Sequence, residues 1–409
     1  MRSISLIAVA VASCVLLSGP AWSAHKTTPP GLPGGWGNAV TSGNDNVDPG
    51  TPQWRVGAAL VEALNKGDLM GLTGLVDVHA VAGRLVPGLR QDPKVERYVE
   101  AGFLRDTVRG ILESYCKGIH GAHGTAKILQ IKMHAGQAHV RIRLDQGALG
   151  FTYLEFIAEQ APEGQFRVVT WLDLNDNRQL DEELGPVARL AADLDARAAQ
   201  DKLFSMRRFE SGVADRLRQV GVLRSQGAYS KSLEAMNQLP GLLADTLAMQ
   251  EMRAKDARRA NDMKEYYRVL GAIELRYGSD RAVWLTLADY YIRNDEVSKA
   301  LAGLASLESR IGVDAGIYLM RARMLLEAKN YSESVVNARR AVDLEPGLQG
   351  TWYCLARSYV QLKNYPEAVA TYQAMQGRFH TTFTRETFIR DPEFADFGQS
   401  AAFQKWLPR

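Results

Sequence analysis

Three cysteines in 409 residues are too few for a disulfide framework, although an oxidising compartment would allow one bond. Cys116, between Tyr115 and Lys117, has none of the neighbours that mark a nucleophile and reads as a small buried residue; neither it nor Cys354 is given a role. Only 15 prolines and no compositional bias exclude a fibrous chain or one disordered throughout. Past the amino terminus no window holds the roughly 20 apolar residues of a membrane span, which excludes a polytopic membrane protein. Charge of one sign is also missing. The 49 Lys+Arg against 46 Asp+Glu leave a net +3, without the concentrated basic excess expected of a nucleic-acid partner. What is present is 46% apolar residues, ample for the cores of two or three domains.

The amino terminus has the grammar of an export signal. Met1-Arg2 precede an apolar run from Ile4 to Leu17, a break at Ser18-Gly19-Pro20, and a small-x-small site in which Ala21 and Ser23 flank Trp22. Cleavage is expected after Ser23, which makes the mature chain periplasmic or secreted. The competing reading is lipid attachment at Cys14 within Val11-Ala12-Ser13-Cys14, the one route to a membrane partner; the apolar run continuing through Leu17 fits the interior of a signal better. Residues 24–51 carry Pro29, Pro30, Pro33 and Pro49 among glycines and polar residues, a composition that reads as a disordered leader.

Residues 52–190 predict an α+β domain. Val56, Leu60, Val61 and Leu64 have helical spacing, Asn65-Lys66-Gly67-Asp68 marks a stop and restart, and Leu69, Leu72, Leu75 and Val76 resume the pattern ahead of a turn at His79. A longer helix is expected from Glu96 to Tyr115. The period then changes to two over Lys127–Met133 and Ala138–Leu144, a hairpin, with further strands at Phe151–Ala158 and Phe166–Leu172. This order of helices followed by a meander, with Asn65-Lys66-Gly67-Asp68, Tyr153-Leu154-Glu155-Phe156 and Val168-Val169-Thr170-Trp171-Leu172-Asp173, resembles the cone-shaped nuclear transport factor two-like superfamily. The resemblance implies a pocket that serves enzymes in some members and plain binding or dimerisation in others, so it does not decide function.

Candidate chemistry in this domain is sparse. His120, His123, His134 and His139 cluster in sequence, but no third ligand stands at a recognised spacing, so no metal is expected. Asp173-x-Asn175-x-Asn177 imitates a calcium loop, yet Arg178 replaces the turn glycine and Leu184 the twelfth-position glutamate, which favours an Asx turn. Asp77 and His79 make at most a dyad. Without a triad, phosphate loop or HExxH, neither enzymatic activity nor a cofactor is expected.

The remainder is periodic. Trp284, Tyr318 and Trp352 recur at 34 residues; with them at position 4, position 8 is Ala288, Ala322 and Ala356, and position 20 is Ala300, Ser334 and Ala368. The register extends back through Ala254 and Val220, giving five copies over 213–380 after a linking helix at 191–212. Trp284-Leu287-Ala288-Tyr291 and Trp352-Leu355-Ala356-Tyr359, with Pro346 at position 32, resemble the tetratricopeptide repeat family. The second copy departs, with Gln250 at position 4 and bulky Tyr266 at position 20. The resemblance implies stacked helical hairpins with a concave groove, lined in that family by positions 2, 5, 9, 12 and 13 of each first helix. Those positions supply Lys255, Arg258, Arg259, Arg293, Arg323 and Arg357, with Tyr353 as an aromatic wall and Asp289, Glu251 and Glu327 opposing. Arginines that recognise carboxylates in bidentate fashion point to an acidic peptide or a chain carboxy terminus; a self-paired, solvated face is the alternative. The family's carboxylate clamp uses asparagines where Lys255, Asp289 and Arg323 stand, so its specificity is not carried over.

After the repeats, Phe394, Phe397, Phe403 and Trp406 are expected to cap the last hairpin over 381–409. Together these features describe an exported, non-enzymatic scaffold that binds a protein or peptide. The alternatives are a cone domain that binds or converts a small molecule, with His79, Asp77, Glu155 and Asp173 converging in its mouth, and an envelope organiser that forms homo-oligomers through its sheet.

Overall fold

The computed structural model describes residues 47–85, 104–121, 123–147, 150–175, 178–180, 219–224, 226–239, 241–280 and 283–407. The signal segment, nearly all of the leader, the first part of the helix expected at 96–115 and the linking helix lie outside the described residues. The chain divides into two compact units, with the boundary between Thr286 and Leu287.

The first unit opens with α1 (Pro52–Lys66), where Thr51 Oγ1 accepts the Trp54 N–H and Pro52 stands at the first turn. Gly67, at φ +66°, ends it in the left-handed region; a Cβ there would lie 2.8 Å from His120 Nε2, so glycine serves both turn and packing. Asp68 caps α2 (Leu69–Gly74) by accepting the Gly71 N–H at 2.9 Å. Where a turn is expected at His79, a further helix, α3 (Val78–Leu85), forms instead. Asp77 starts it by accepting the Ala80 N–H at 3.0 Å, a capping contact that occupies the carboxylate named above as one half of a dyad. α4 (Leu104–Gly121) runs past the expected end at Tyr115, because Cys116 and Ile119 also bury.

The sheet is antiparallel, in sequential order β1 (Ala126–His134), β2 (Gln137–Asp145), β3 (Phe151–Gln160), β4 (Phe166–Asp173) and the two-residue β5 (Arg178–Gln179). Asn65 joins α1 to the sheet: its amide donates to the Ala126 carbonyl and its carbonyl accepts the Ala126 N–H. Val140 pairs with Phe156 and Ile142 with Leu154. These side chains share a core with Leu60, Leu64, Leu72, Ile111, Tyr115 and Trp171. The chain is thus an α+β domain followed by an all-α run of tetratricopeptide-like hairpins.

The hairpins share a backbone device. Gly227, Asn261, Asp295, Lys329 and Lys363 all have φ between 59° and 73° and stand in steps of 34. In each case the next residue's N–H reaches back five positions, as in Asp262 to Ala257 and Asn330 to Leu325, both at 2.8 Å, and Asn364 to Tyr359 at 2.9 Å. This is a Schellman turn closing the first helix and aiming the second. In the first unit it joins the helical residues 219–224 to α5 (Tyr229–Met236), and α7 (Leu247–Arg259) to α8 (Met263–Tyr277). The helix α5 is short, ending ahead of Pro240, which disfavours helix at the residue before it; α6 (Gly241–Ala244) follows.

The second unit contains α9 (Ala288–Arg293) with α10 (Val297–Ile311), α11 (Ala315–Glu327) with α12 (Tyr331–Leu344), and α13 (Gln349–Gln361) with α14 (Tyr365–Phe379). Ala288, Ala322 and Ala356 at position 8, and Ala300, Ser334 and Ala368 at position 20, are all 2% exposed or less; small side chains let paired helices approach closely. The first helix of the third copy is shorter than the pattern predicts, since residues 284–287 are turns. Just ahead of them, hydrogen bonds over three residues run from Asp280 to Tyr277 and from Val283 to Asp280. The chain then passes through α15 (Arg385–Ile389), a 3-10 turn at Pro392–Phe394, α16 (Ala395–Gln399) and α17 (Ala401–Trp406).

Candidate functional site

In the second unit, position 9 of each first helix supplies Asp289, Arg323 and Arg357, and position 13, one turn later, supplies Arg293, Glu327 and Gln361. Residues four apart on a helix share a face, so each first helix presents a two-residue polar step. Arg293 is exposed; Arg323, Tyr353 and Arg357 are half-buried. Position 2 of the next copy is Gly350, which Arg323 approaches closely: a Cβ there would lie in van der Waals contact, 3.5 Å from Arg323 Nη2 and 3.4 Å from Leu319 Cδ2. The Arg323 guanidinium therefore reaches across to the start of α13.

The last step shows what such a pair does with an anion. Arg357 donates through Nε to Glu393 Oε1 at 3.2 Å and through Nη2 to Glu393 Oε2 at 2.6 Å. Gln361 Nε2 donates to Glu393 Oε1 at 3.0 Å. This is a forked carboxylate contact with a third donor, and both charged side chains are 21% exposed. Burial works against the charge of Arg357, but hydrogen bonding and the opposite charge of Glu393 outweigh it and raise the guanidinium above its usual range. Sequence reasoning named Arg357 and passed over Gln361 and Glu393. Gln361 could have been found at position 13; Glu393 lies outside the repeats, where periodicity says nothing.

Glu393 is delivered by the carboxy-terminal segment, which packs aromatically on α14. Tyr372 of α14 stacks on Trp406 with centroids 5.6 Å apart and lies edge-on to Phe388 at 5.0 Å. Phe388, Phe394, Phe397 and Phe403 are 3% exposed or less, and Lys363 binds Asp396 at 2.9 Å.

In the first unit, the expected groove residues Arg258 and Arg259 lie on tyrosine faces. Arg258 lies over Tyr266 at 5.5 Å and donates to its hydroxyl at 3.3 Å; Arg259 lies over Tyr229 at 5.2 Å. The bulky Tyr266 thus supplies a cation–π platform while itself only 6% exposed. Lys255 is half-buried on the same helix. A repeat-to-repeat polar contact is also buried here: Asp256 accepts from Arg224 Nε and from Ser232 Oγ, both at 2.7 Å. Ser334 and Ser358 meet at 2.7 Å in the equivalent positions of the second unit.

Of the four ionisable residues that a catalytic cone would converge, three are engaged in separate contacts and the fourth is exposed. Asp77 caps α3 and His79 is exposed on it. Asp173 Oδ1 accepts the Asn175 N–H at 2.9 Å, and the Asn175 amide is tied to the backbone of Tyr153 and Phe151, so this motif builds an Asx turn. Glu155 alternates with the core residues Leu154 and Phe156 and so faces away from them. It accepts from His139 Nδ1 at 2.6 Å and from Arg141 Nε at 2.5 Å. Burial would raise its carboxyl, but these hydrogen bonds prevail and hold it below the usual range. Cys116 and Cys354 are buried, and burial pushes both thiols up, away from the thiolate a nucleophile needs. Among the described residues no cluster of three or more potential ligands could hold a metal ion, and no helix is long and apolar enough to cross a membrane.

No family model matches the chain, and no curated protein matches it. Among solved structures it is similar to a tetratricopeptide repeat protein from Parabacteroides merdae ATCC 43184, at 12% identity over 55% of this chain and 84% of that one, with a TM-score of 0.39. That likeness is too slight to argue from; the repeat architecture stands on the 34-residue recurrence of helix, turn and contact within this chain.

Proposed function

We propose that this chain is a non-catalytic scaffold whose second unit binds acidic segments of a protein partner on the first-helix face of its repeats, with Arg293, Arg323, Arg357 and Tyr353 as the contact set. One observation carries the reading: the only carboxylate among the described residues seen on Arg357, that of Glu393, is held by the forked geometry an external acidic side chain would adopt. Lys255, Arg258 and Arg259 have a lesser part, since two of the three are engaged with tyrosines. Export to the periplasm or beyond belongs to the same proposal and rests on the signal-like residues 1–23 alone, as does the cone-like character of the first unit on its element order. The small-molecule alternative loses support because Asp77, Glu155 and Asp173 are engaged in separate contacts and His79 is exposed.

The test is affinity capture from envelope extract with the chain lacking residues 1–23, beside an Arg293→Glu, Arg323→Glu, Arg357→Glu variant of equal helix content. A partner retained by the first, lost by the second and weakened by salt is the expected result. Equal capture by both chains would move the binding surface elsewhere.

A further inference from the structure

We infer that Glu393 is a built-in competitor: its side chain occupies the Arg357–Gln361 subsite and masks it against acidic partners until displaced. The inference rests on the acidic-segment reading above and adds its regulation. Three observations meet here. The subsite is built from the groove positions 9 and 13 of α13, while its occupant comes from outside the repeats, 36 residues from Arg357. The anchor and the occupant are separable: Phe394, beside Glu393, is 3% exposed among aromatic rings, with Phe388 at 5.5 Å, whereas the Glu393 carboxylate remains 21% exposed. The side chain can therefore rotate away without lifting the segment that carries it. Finally, the contact uses two of the five N–H donors of Arg357, so the guanidinium can begin to bind an incoming carboxylate before Glu393 leaves.

A site whose competent form is a minor population binds more weakly by that fraction. Full-length wild type, Glu393→Ala and the double variant Glu393→Ala, Arg357→Ala are titrated against fluorescein-labelled hexaglutamate, with hexaglutamine as control. Glu393→Ala should bind hexaglutamate about tenfold more tightly than wild type, as expected if masking is about ten to one, and Arg357→Ala should remove the gain. Glu393→Gln, which keeps the side-chain length and its contact with Gln361, serves as a second unmasking variant should Glu393→Ala lose helix content. Binding of wild type and both single variants within twofold of one another overturns the masking; if that binding still fails upon Arg323→Glu, the acidic-segment reading survives it. Absence of hexaglutamate binding by every chain overturns both.

Discussion

At the residue scale, charge here is managed by pairing. Asp256 is fully buried with Arg224 at 2.7 Å and Ser232 at 2.7 Å. Asp256→Ala removes the carboxylate from a buried ion pair, so a loss of about 3 kcal/mol is expected in urea unfolding, against far less for Asp245→Ala, whose partner contact with Arg276 is 3.6 Å and solvent-exposed. Glu265 behaves differently. A hydrogen bond from Arg268, opposed by burial and joined by one from Arg253, brings its carboxyl from 4.5 down to about 2. A carboxyl depressed in the folded state contributes stability above its unfolded value and loses it as pH falls through the folded one. The urea midpoint should therefore drop between pH 4.5 and about 2 more steeply in wild type than in Glu265→Gln; parallel curves would refute the assignment. Side-chain chemistry of this kind was partly legible. The arginines at groove positions could be named from the repeat register, but their partners, Tyr266, Tyr229 and Glu393, depend on how one helix leans on another.

At the scale of the element, the hairpin turns carry the repeat. The alanines of positions 8 and 20 were readable in the sequence because close helix contact restricts side-chain size. The left-handed turn residues were not, since the same φ is met by Gly227, Asn261, Asp295, Lys329 and Lys363; the hydrogen bonds that define the turn are made by backbone, which any of these can supply. Gly227 announces it, Asn261 and Asp295 less plainly, and Lys329 and Lys363 not at all. A non-glycine residue in this region costs about 1 kcal/mol, so Lys329→Gly should raise the melting temperature by a few degrees, and Lys329→Val should lower it. Position 4 offers a parallel case. Trp284 and Trp352 donate their indole N–H to the carbonyls of Gly278 and Pro346, at 2.9 Å each, and Gln250 donates its amide to Ala244 at 2.7 Å. The second copy, irregular in sequence, thus keeps the hydrogen bond six residues back. Trp352→Phe should lose it, for about 1 kcal/mol.

For the whole molecule, the class of fold follows from a change of period, two over the strands and 34 over the repeats, and both survive substitution better than any single contact. What the sequence left hidden is local: a third helix where Asp77 caps Val78–Leu85, and a first helix of the third copy cut to Ala288–Arg293. The same holds for the proposed site. The arginines of its face could be named from the repeat register, whereas the carboxylate that rests on Arg357 comes from a segment outside the repeats. That segment is also expected to keep the molecule soluble. Deleting residues 385–409 uncovers Tyr372 and Phe383, and the truncated chain should bind hydrophobic dye and associate in sedimentation, a result that Trp406→Ala alone would produce only in part. The central claim is that acidic segments bind the first-helix face of the second unit, and its most direct test is the anisotropy of labelled hexaglutamate with the full chain and with Arg323→Glu at two salt concentrations. The account predicts binding that weakens with salt and is lost in the variant; binding that persists undiminished in Arg323→Glu would contradict it.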